Sequence, residues 1–246
     1  MIKLKSYSAN TNQGPFLQVN EDDIDIDLAN KLFLIFDGYG GTNIGNNCVQ
    51  SLKKDIKTFY TKFGDDPNST MPFFFSPKYN LEGNALINAL HSAHKSLKDE
   101  NMKKEYGLRG GASLIGGGLS DQLLTLVSVG NCTSFLYRKN HLEIITIPDS
   151  LATLTQEKYM AHMQTSPLSG MGLFEDLQME IKESKLIEDD MVILMTDGAY
   201  SRINNEELKS IIEGHESNLA KKIDEVFTLS NTRGNLDNQS CIFLQF

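Results

Sequence analysis

The sequence has no tryptophan, only three cysteines and six prolines among its 246 residues. Cys48, Cys132 and Cys241 are too widely spaced for a thiolate metal motif. Three cysteines also exclude a disulfide scaffold and suit a reducing compartment. No apolar run approaches the ~20 residues that span a bilayer. The opening MIKLKSYSAN carries no apolar core of a secretory signal. These absences point to a cytoplasmic protein with no membrane partner. Basic residues are the scarcer sign: 23 Lys and Arg against 32 Asp and Glu leave a net charge of -9. That excludes nucleic acid as the expected partner and leaves the oligomeric state open. No Pro/Gly/Ser-rich linker, repeat or low-complexity tract divides the chain, so residues 1–246 read as one domain.

Two further absences remove tempting sites. The glycines at 110, 111 and 116–118 come without the Lys-Ser/Thr of a phosphate loop or the spacing of a dinucleotide loop, so they read as close strand packing. His91 and His94 lie three apart on a predicted helix, with His141, His162 and His215 scattered elsewhere. They lack the Cys or Glu-His spacing of a zinc site. His94 reads as a partly buried helix histidine.

What is present is a succession of short β-rich runs and amphipathic stretches. Strands are predicted over residues 2–8, over Lys31 to Phe36, in a hairpin of 112–118 with 122–130, in a second hairpin of 133–138 with 141–147 around Lys139-Asn140, from Met191 to Thr196, and through the final SCIFLQF. Helical spacing of apolar residues predicts helices over 44–63, 83–99, 205–213 and 217–229, the third capped by Asn204. Residues 64–80 and about 148–176 read as loops. Hairpins rather than strand–helix–strand units predict an α+β fold of antiparallel sheets with helices packed outside. Phe73, Phe74 and Phe75, in the proline-bounded loop, read as tucked against the core, with an exposed partner-binding patch as the other reading.

The chemical signal is acidic. Asp37 follows LFLIF and precedes Gly38, Asp197 follows VILMT and precedes Gly198, and Asp237 precedes Asn238 and the last strand. A carboxylate at the end of a buried strand is costly unless it is paired or coordinates a cation. A glycine beside it lets backbone approach closely. Oxygen donors without thiolates suit Mg²⁺ or Mn²⁺. One Asp-Gly alone is usually a turn; the recurrence at three boundaries is the argument.

In order along the chain stand Gly14 and then NED at 20–22, FDGYGG at 36–41, GGAS at 110–113, VGNCTSFLYR at 129–138, MTDGAYSRI at 195–203 and DNQS at 237–240. From about residue 6 to the end this series resembles the metal-dependent, type 2C Ser/Thr protein phosphatases. The resemblance implies a β-sandwich of two antiparallel sheets flanked by helices, with a metal cluster at one end. It implies that Asp37 bridges two metals and that the Gly38 carbonyl binds one of them. Asp197 and Asp237 would complete the site, Glu21 and Asp22 would hold metal-bound water, and Asn238 would orient its neighbour. The catalytic set would be Asp37, Asp197 and Asp237, acting on a phosphoprotein by a water acidified between two metals and attacking phosphorus in line.

Four departures from the family pattern accompany the match. Leu17 stands where an arginine grips phosphate, and cannot replace its fork or charge. Tyr39 replaces a histidine proposed as general acid in some members. Asn131 and Ser201 replace two aspartates of a third metal site, which implies a weak or absent third ion. The segment 149–176 falls where the family carries a flap, with PDS at 148–150 in place of Asp-His-Ser and with Met160, Met163, Met171 and Leu173 placed to pack or to touch substrate. The competing reading is a pseudophosphatase that keeps the fold as a binding or regulatory module.

Overall fold

The computed structural model describes residues 2–41, 43–65, 71–155 and 166–246. The expected positions Pro67, Met160, His162 and Met163 lie outside the described residues. Among the described residues, ten strands form two five-stranded antiparallel sheets. The first sheet joins β1 (Ser6–Asn12), β10 (Gln239–Gln245), β9 (Met191–Met195), β6 (Thr133–Arg138) and β7 (His141–Thr146) in that order. The second joins β2 (Asp23–Asp27), β3 (Leu32–Tyr39), β4 (Gly111–Ser120), β5 (Leu123–Val129) and β8 (Glu180–Lys185). Helices α1 (Ile44–Asp65) and α2 (Leu81–Asn101) cover the second sheet. Helices α5 (Asn205–Glu213) and α6 (Leu219–Thr232) cover the first. Two short helices, α3 (Leu151–Thr155) and α4 (Asp197–Tyr200), complete the set, with a 3₁₀ turn at Tyr106–Leu108.

Side-chain alternation builds the layers, because successive residues of a strand face opposite sides. Along β3, Phe33 and Ile35 face the space between the sheets, where they meet Val192 and Leu194 of β9 and Ile242 and Leu244 of β10. Their neighbours Leu32, Leu34 and Phe36 face Leu52, Ile56, Leu86 and Leu90 of the two long helices. On the other sheet Ile193, Met195, Cys241 and Phe243 pack against Leu208, Ile223 and Phe227. The result is a four-layer αββα sandwich. Strand β3, buried on both faces, is therefore an uninterrupted apolar run, as the sequence showed.

Several expected boundaries move. The first strand lies at 6–12, not 2–8: Ile2 and Leu4 pack against the core outside the ladder, and the polar stretch SYSANTN forms the edge strand beside β10. Strand β2, DIDID, had no predicted counterpart. Its Ile24 and Ile26 reach the inter-sheet core while Asp23 and Asp25 pair with Lys53 and Lys57 of α1, at 2.7 and 2.9 Å. Strand β8, EIKESK, falls after the predicted loop in a stretch to which no element was assigned, and among the described residues its ladder is with β5. Helix α6 runs 219–232 rather than 217–229 because the Asn218 side chain caps it, accepting from the Ala220 amide. Both hairpins form where expected. Asp121, and both Lys139 and Asn140, take the positive φ that tight turns require.

Candidate metal centre

The acidic residues come together at the end of the sandwich where β3, β9 and β10 finish or begin. Asp37 is the sixth residue of β3, so it lies inside the strand rather than after it. Asp197 opens α4 directly after β9, and Asp237 sits two residues before β10. Asp22 precedes β2 and is buried. Gly198 makes the junction: a Cβ there would lie 1.9 Å from the Asn238 carbonyl oxygen, so only glycine lets the turn of Asp237 rest against Asp197. Gly14, at φ +77°, comes as close on the other side, where a Cβ would lie 2.3 Å from the Asp237 carbonyl oxygen.

The four aspartates perturb one another. Burial pushes the Asp37 carboxyl well above its ordinary range, and the charges of Asp197, Asp22 and Asp237 push it further. Asp197 is raised in the same way by burial and then by Asp237 and Asp22, and it lies within hydrogen-bonding reach of Asp37. Asp22 is pushed up to about 7 by burial. Hydrogen bonds from Thr196 and Ser240 oppose that shift, and the charges of Asp237 and Asp23 add to it. Asp237 is raised by burial against the pull of the Asn238 amide. Among the described residues no Lys or Arg forms an ion pair with any of the four. The guanidinium groups of Arg109, Arg138 and Arg233 are engaged elsewhere, on the Lys104 carbonyl, on Asp190 and on Glu207.

Neutral groups hold this cluster in shape. The Asn131 side-chain amide donates to Asp197 at 2.7 Å, and both residues are buried. The Thr196 hydroxyl donates to Asp22 at 2.9 Å. Asn238 ties three strands of chain together. Its amide donates to the carbonyls of Gln13 and Val19, its Oδ1 accepts from the Glu21 amide at 2.9 Å, and its own backbone N–H donates to Asp237. Tyr200 donates to the Asn131 carbonyl at 2.7 Å. Of these supports only Asn238 was singled out from sequence as one. The others depend on tertiary proximity and leave no local signal beyond a buried polar residue type.

The remaining expected positions fall as follows. The Glu21 carboxylate accepts from the Gly45 amide in the first turn of α1, at 2.9 Å, beside Gly38. Tyr39 is half-buried, and its phenol, pushed up by burial, packs against Gly170, where a Cβ would come within 1.7 Å of the phenol oxygen. Leu17 lies exposed in the loop between β1 and β2. Ser201 follows α4, one helical turn past Asp197, to whose carbonyl its amide donates. Of the described positions between 149 and 176 singled out from sequence, Met171 is fully buried in the core and Leu173 is exposed. In the proline-bounded loop Phe74 alone packs against the core; Phe73, though exposed, stacks on His91 at 6.1 Å, and Phe75 is exposed.

As placed, the carboxylates lean on one another and on their hydrogen-bond donors. Among the described residues no group of three His, Cys, Asp or Glu side chains is already set to hold a metal ion. The donor chemistry nevertheless fits hard divalent cations once the carboxylates turn inward: the donors are oxygens, buried or half-buried, mutually repelling and, among the described residues, without a cationic partner.

No protein-family model matches the chain. A Streptococcus pyogenes protein named as a protein phosphatase of 2C type is 21% identical over 216 residues, which cover 84% of this chain and 82% of that protein. Among solved structures, the serine/threonine phosphatase PstP of Mycobacterium tuberculosis superposes with a TM-score of 0.78 at 20% identity, covering 98% of each chain. Phosphatase Stp1 of Staphylococcus aureus gives 0.81 at 18% identity, over 100% of this chain and 96% of that one. The chain has the type 2C phosphatase fold. Another structure with the type 2C fold, the catalytic domain of PstP in complex with two manganese ions, matches with a TM-score of 0.77 at 18% identity over 98% of this chain and 97% of that one. In this chain's version of the type 2C fold, no helix among the described residues is long and apolar enough to cross a membrane.

Proposed function

We propose that the chain is a metal-dependent phosphatase acting on phosphoserine and phosphothreonine of proteins. The observation that carries this reading is the meeting of Asp22, Asp37, Asp197 and Asp237, from four separated stretches, in a cluster where Asp22 and Asp197 are buried and Asp37 and Asp237 half-buried, with no cationic partner among the described residues. The type 2C fold in which they meet supports it further.

Asp37, Asp197 and Asp237 would hold two divalent ions, Mg²⁺ or Mn²⁺, with the Gly38 carbonyl as a further ligand and with Glu21 and Asp22 beside them. When bound, such ions supply an acidified water and positive charge for the phosphoryl oxygens. The chain's own residues then do the positioning. Thr196 fixes Asp22, Asn131 restrains Asp197, and Asn238 fixes the Asp237 turn against the Glu21 segment. With Leu17 in place of a guanidinium, phosphate recognition falls to the cations rather than to a side-chain fork. Asn131 and Ser201 are neutral, so a third ion would be held weakly or not at all. We read residues 1–246 as a single domain with a flap over 149–176. We place the protein in the cytoplasm, in keeping with three free, buried cysteines.

Hydrolysis of p-nitrophenyl phosphate and of a phosphopeptide in Mn²⁺ tests the reading. Asp37→Asn and Asp197→Asn are expected to lower turnover by more than the ~10–100-fold that loss of a ligand's outer support costs. Wild-type turnover no higher than that of the two variants would move the chain to the pseudophosphatase reading.

A further inference from the structure

A cavity lies beside Gly130, next to the Asn131 that touches Asp197 of the acidic cluster. It encloses about 180 Å³ between the end of β5, the start of β8 and the chain at 147–149 and 169. That is far more than the ~10–15 Å³ a single water needs. Asp149 and Glu180 line it, together with the hydroxyls of Ser128 and Ser169, and no lysine or arginine does. Ile147 and Gln178, also in its lining, are exposed, so the cavity reaches solvent.

Two observations say that it is built for a ligand with N–H donors. Ser128 is 3% exposed, and its Oγ has no hydrogen-bond partner among the described residues. On β5 it shares a face with Leu124 and Leu126, which look into the inter-sheet space, so its hydroxyl is aimed inward. The Asp149 carboxylate has no ion-pair or hydrogen-bond partner among the described residues, although its backbone pairs with Gly130 and Leu168. Glu180 is partly committed, accepting from the Ile147 amide at 2.7 Å and lying 3.2 Å from Lys182. Ile147 and Met179 add apolar surface that suits an alkyl stem. The position also matters: Gly130 lines the cavity, and the next residue, Asn131, touches Asp197.

We infer that this cavity receives the ammonium or guanidinium of a lysine or arginine near the phosphorylated residue of a protein substrate. The inference rests on the phosphatase reading of the acidic cluster. It makes the enzyme selective for basic phosphorylated segments, in keeping with the chain's net charge of -9.

The test uses the full chain with Mn²⁺ and a set of phosphoserine peptides in which lysine, arginine or norleucine occupies each of several positions on either side of the phosphoserine. A charge-assisted hydrogen bond predicts kcat/KM about tenfold higher for a basic residue at one offset. Asp149→Asn is expected to bring that ratio close to one. Ser128→Val, which replaces the unpartnered hydroxyl with methyl groups, provides the second variant and the same expectation. Equal kcat/KM across the set, or a preference that both variants retain, overturns the inference. Should wild-type protein hydrolyse neither the peptides nor p-nitrophenyl phosphate, the phosphatase reading fails separately, and the labelled peptides are then compared by fluorescence anisotropy. Tighter binding of the basic peptide that Asp149→Asn removes upholds the cavity's role, and equal binding rejects it. Stabilisation by n-butylguanidinium without any peptide preference would assign the cavity to a small free cation and also reject it.

Discussion

Asp197 and Asp237 are brought together by the absence of a side chain between them. A methyl group at Gly198 would meet the Asn238 carbonyl at 1.9 Å, so Gly198→Ala must push the two acidic turns apart. Forced overpacking of this kind costs ~1–3 kcal/mol. Urea denaturation should show that loss, and Mn²⁺ affinity should fall with it; an alanine variant of unchanged stability and affinity would show that the two turns can separate freely. The aspartates themselves were legible in sequence, because each stands at the edge of an apolar run next to glycine or asparagine. What was not legible is how they are held. The contacts from Asn131 to Asp197 and from Thr196 to Asp22 join residues 66 and 174 positions apart. Tyr39 could be read from its neighbours as a site residue, yet its phenol packs on Gly170, a partner that no local pattern reveals.

At the scale of elements, the long helix α2 does more than cover a sheet. Asn88, fully buried, accepts from the amides of Phe73 and Phe74 and donates to the Phe74 carbonyl, so it substitutes for the ladder that the 71–80 segment lacks. Asn88→Ala strands those backbone groups, and stranded buried polar groups cost ~1–3 kcal/mol each. The variant should melt earlier and be cut faster by protease within 71–80; unchanged cutting would show that Phe74 packing alone holds the segment. Elements with strong apolar periodicity, such as α1, α2, β3 and β9, were readable from sequence because burial dictates their pattern. Strand β8 was not, since an edge strand reading EIKESK carries mainly polar residues and takes its structure from β5. Strand β2 did carry a signal in its alternation of Ile24 and Ile26 with aspartates, and only its shortness concealed it.

For the whole molecule, acid stability should report the way α2 meets the chain at Gly172. The His94 Nδ1 accepts from the Gly172 amide at 3.1 Å, and burial holds the ring's pKa below its ordinary value, with Lys98 and His91 adding in the same direction. The folded state therefore favours the neutral ring. Its penalty is absent above the unfolded pKa of about 6.5 and grows as pH falls from there toward the lowered folded value. Wild-type protein should lose more stability between pH 7.5 and 5.5 than His94→Gln does, measured by denaturant titration at both pH values; parallel losses would contradict the assignment. The central claim is that carboxylates distant along the chain share cations. The most direct measurement is calorimetric titration of chelator-treated protein with Mn²⁺, beside Asp37→Asn and Asp197→Asn. The account predicts two Mn²⁺ bound per chain, with a higher melting temperature on loading and with binding weakened in both variants. No Mn²⁺ binding by the wild type, or binding that both variants retain in full, would contradict it.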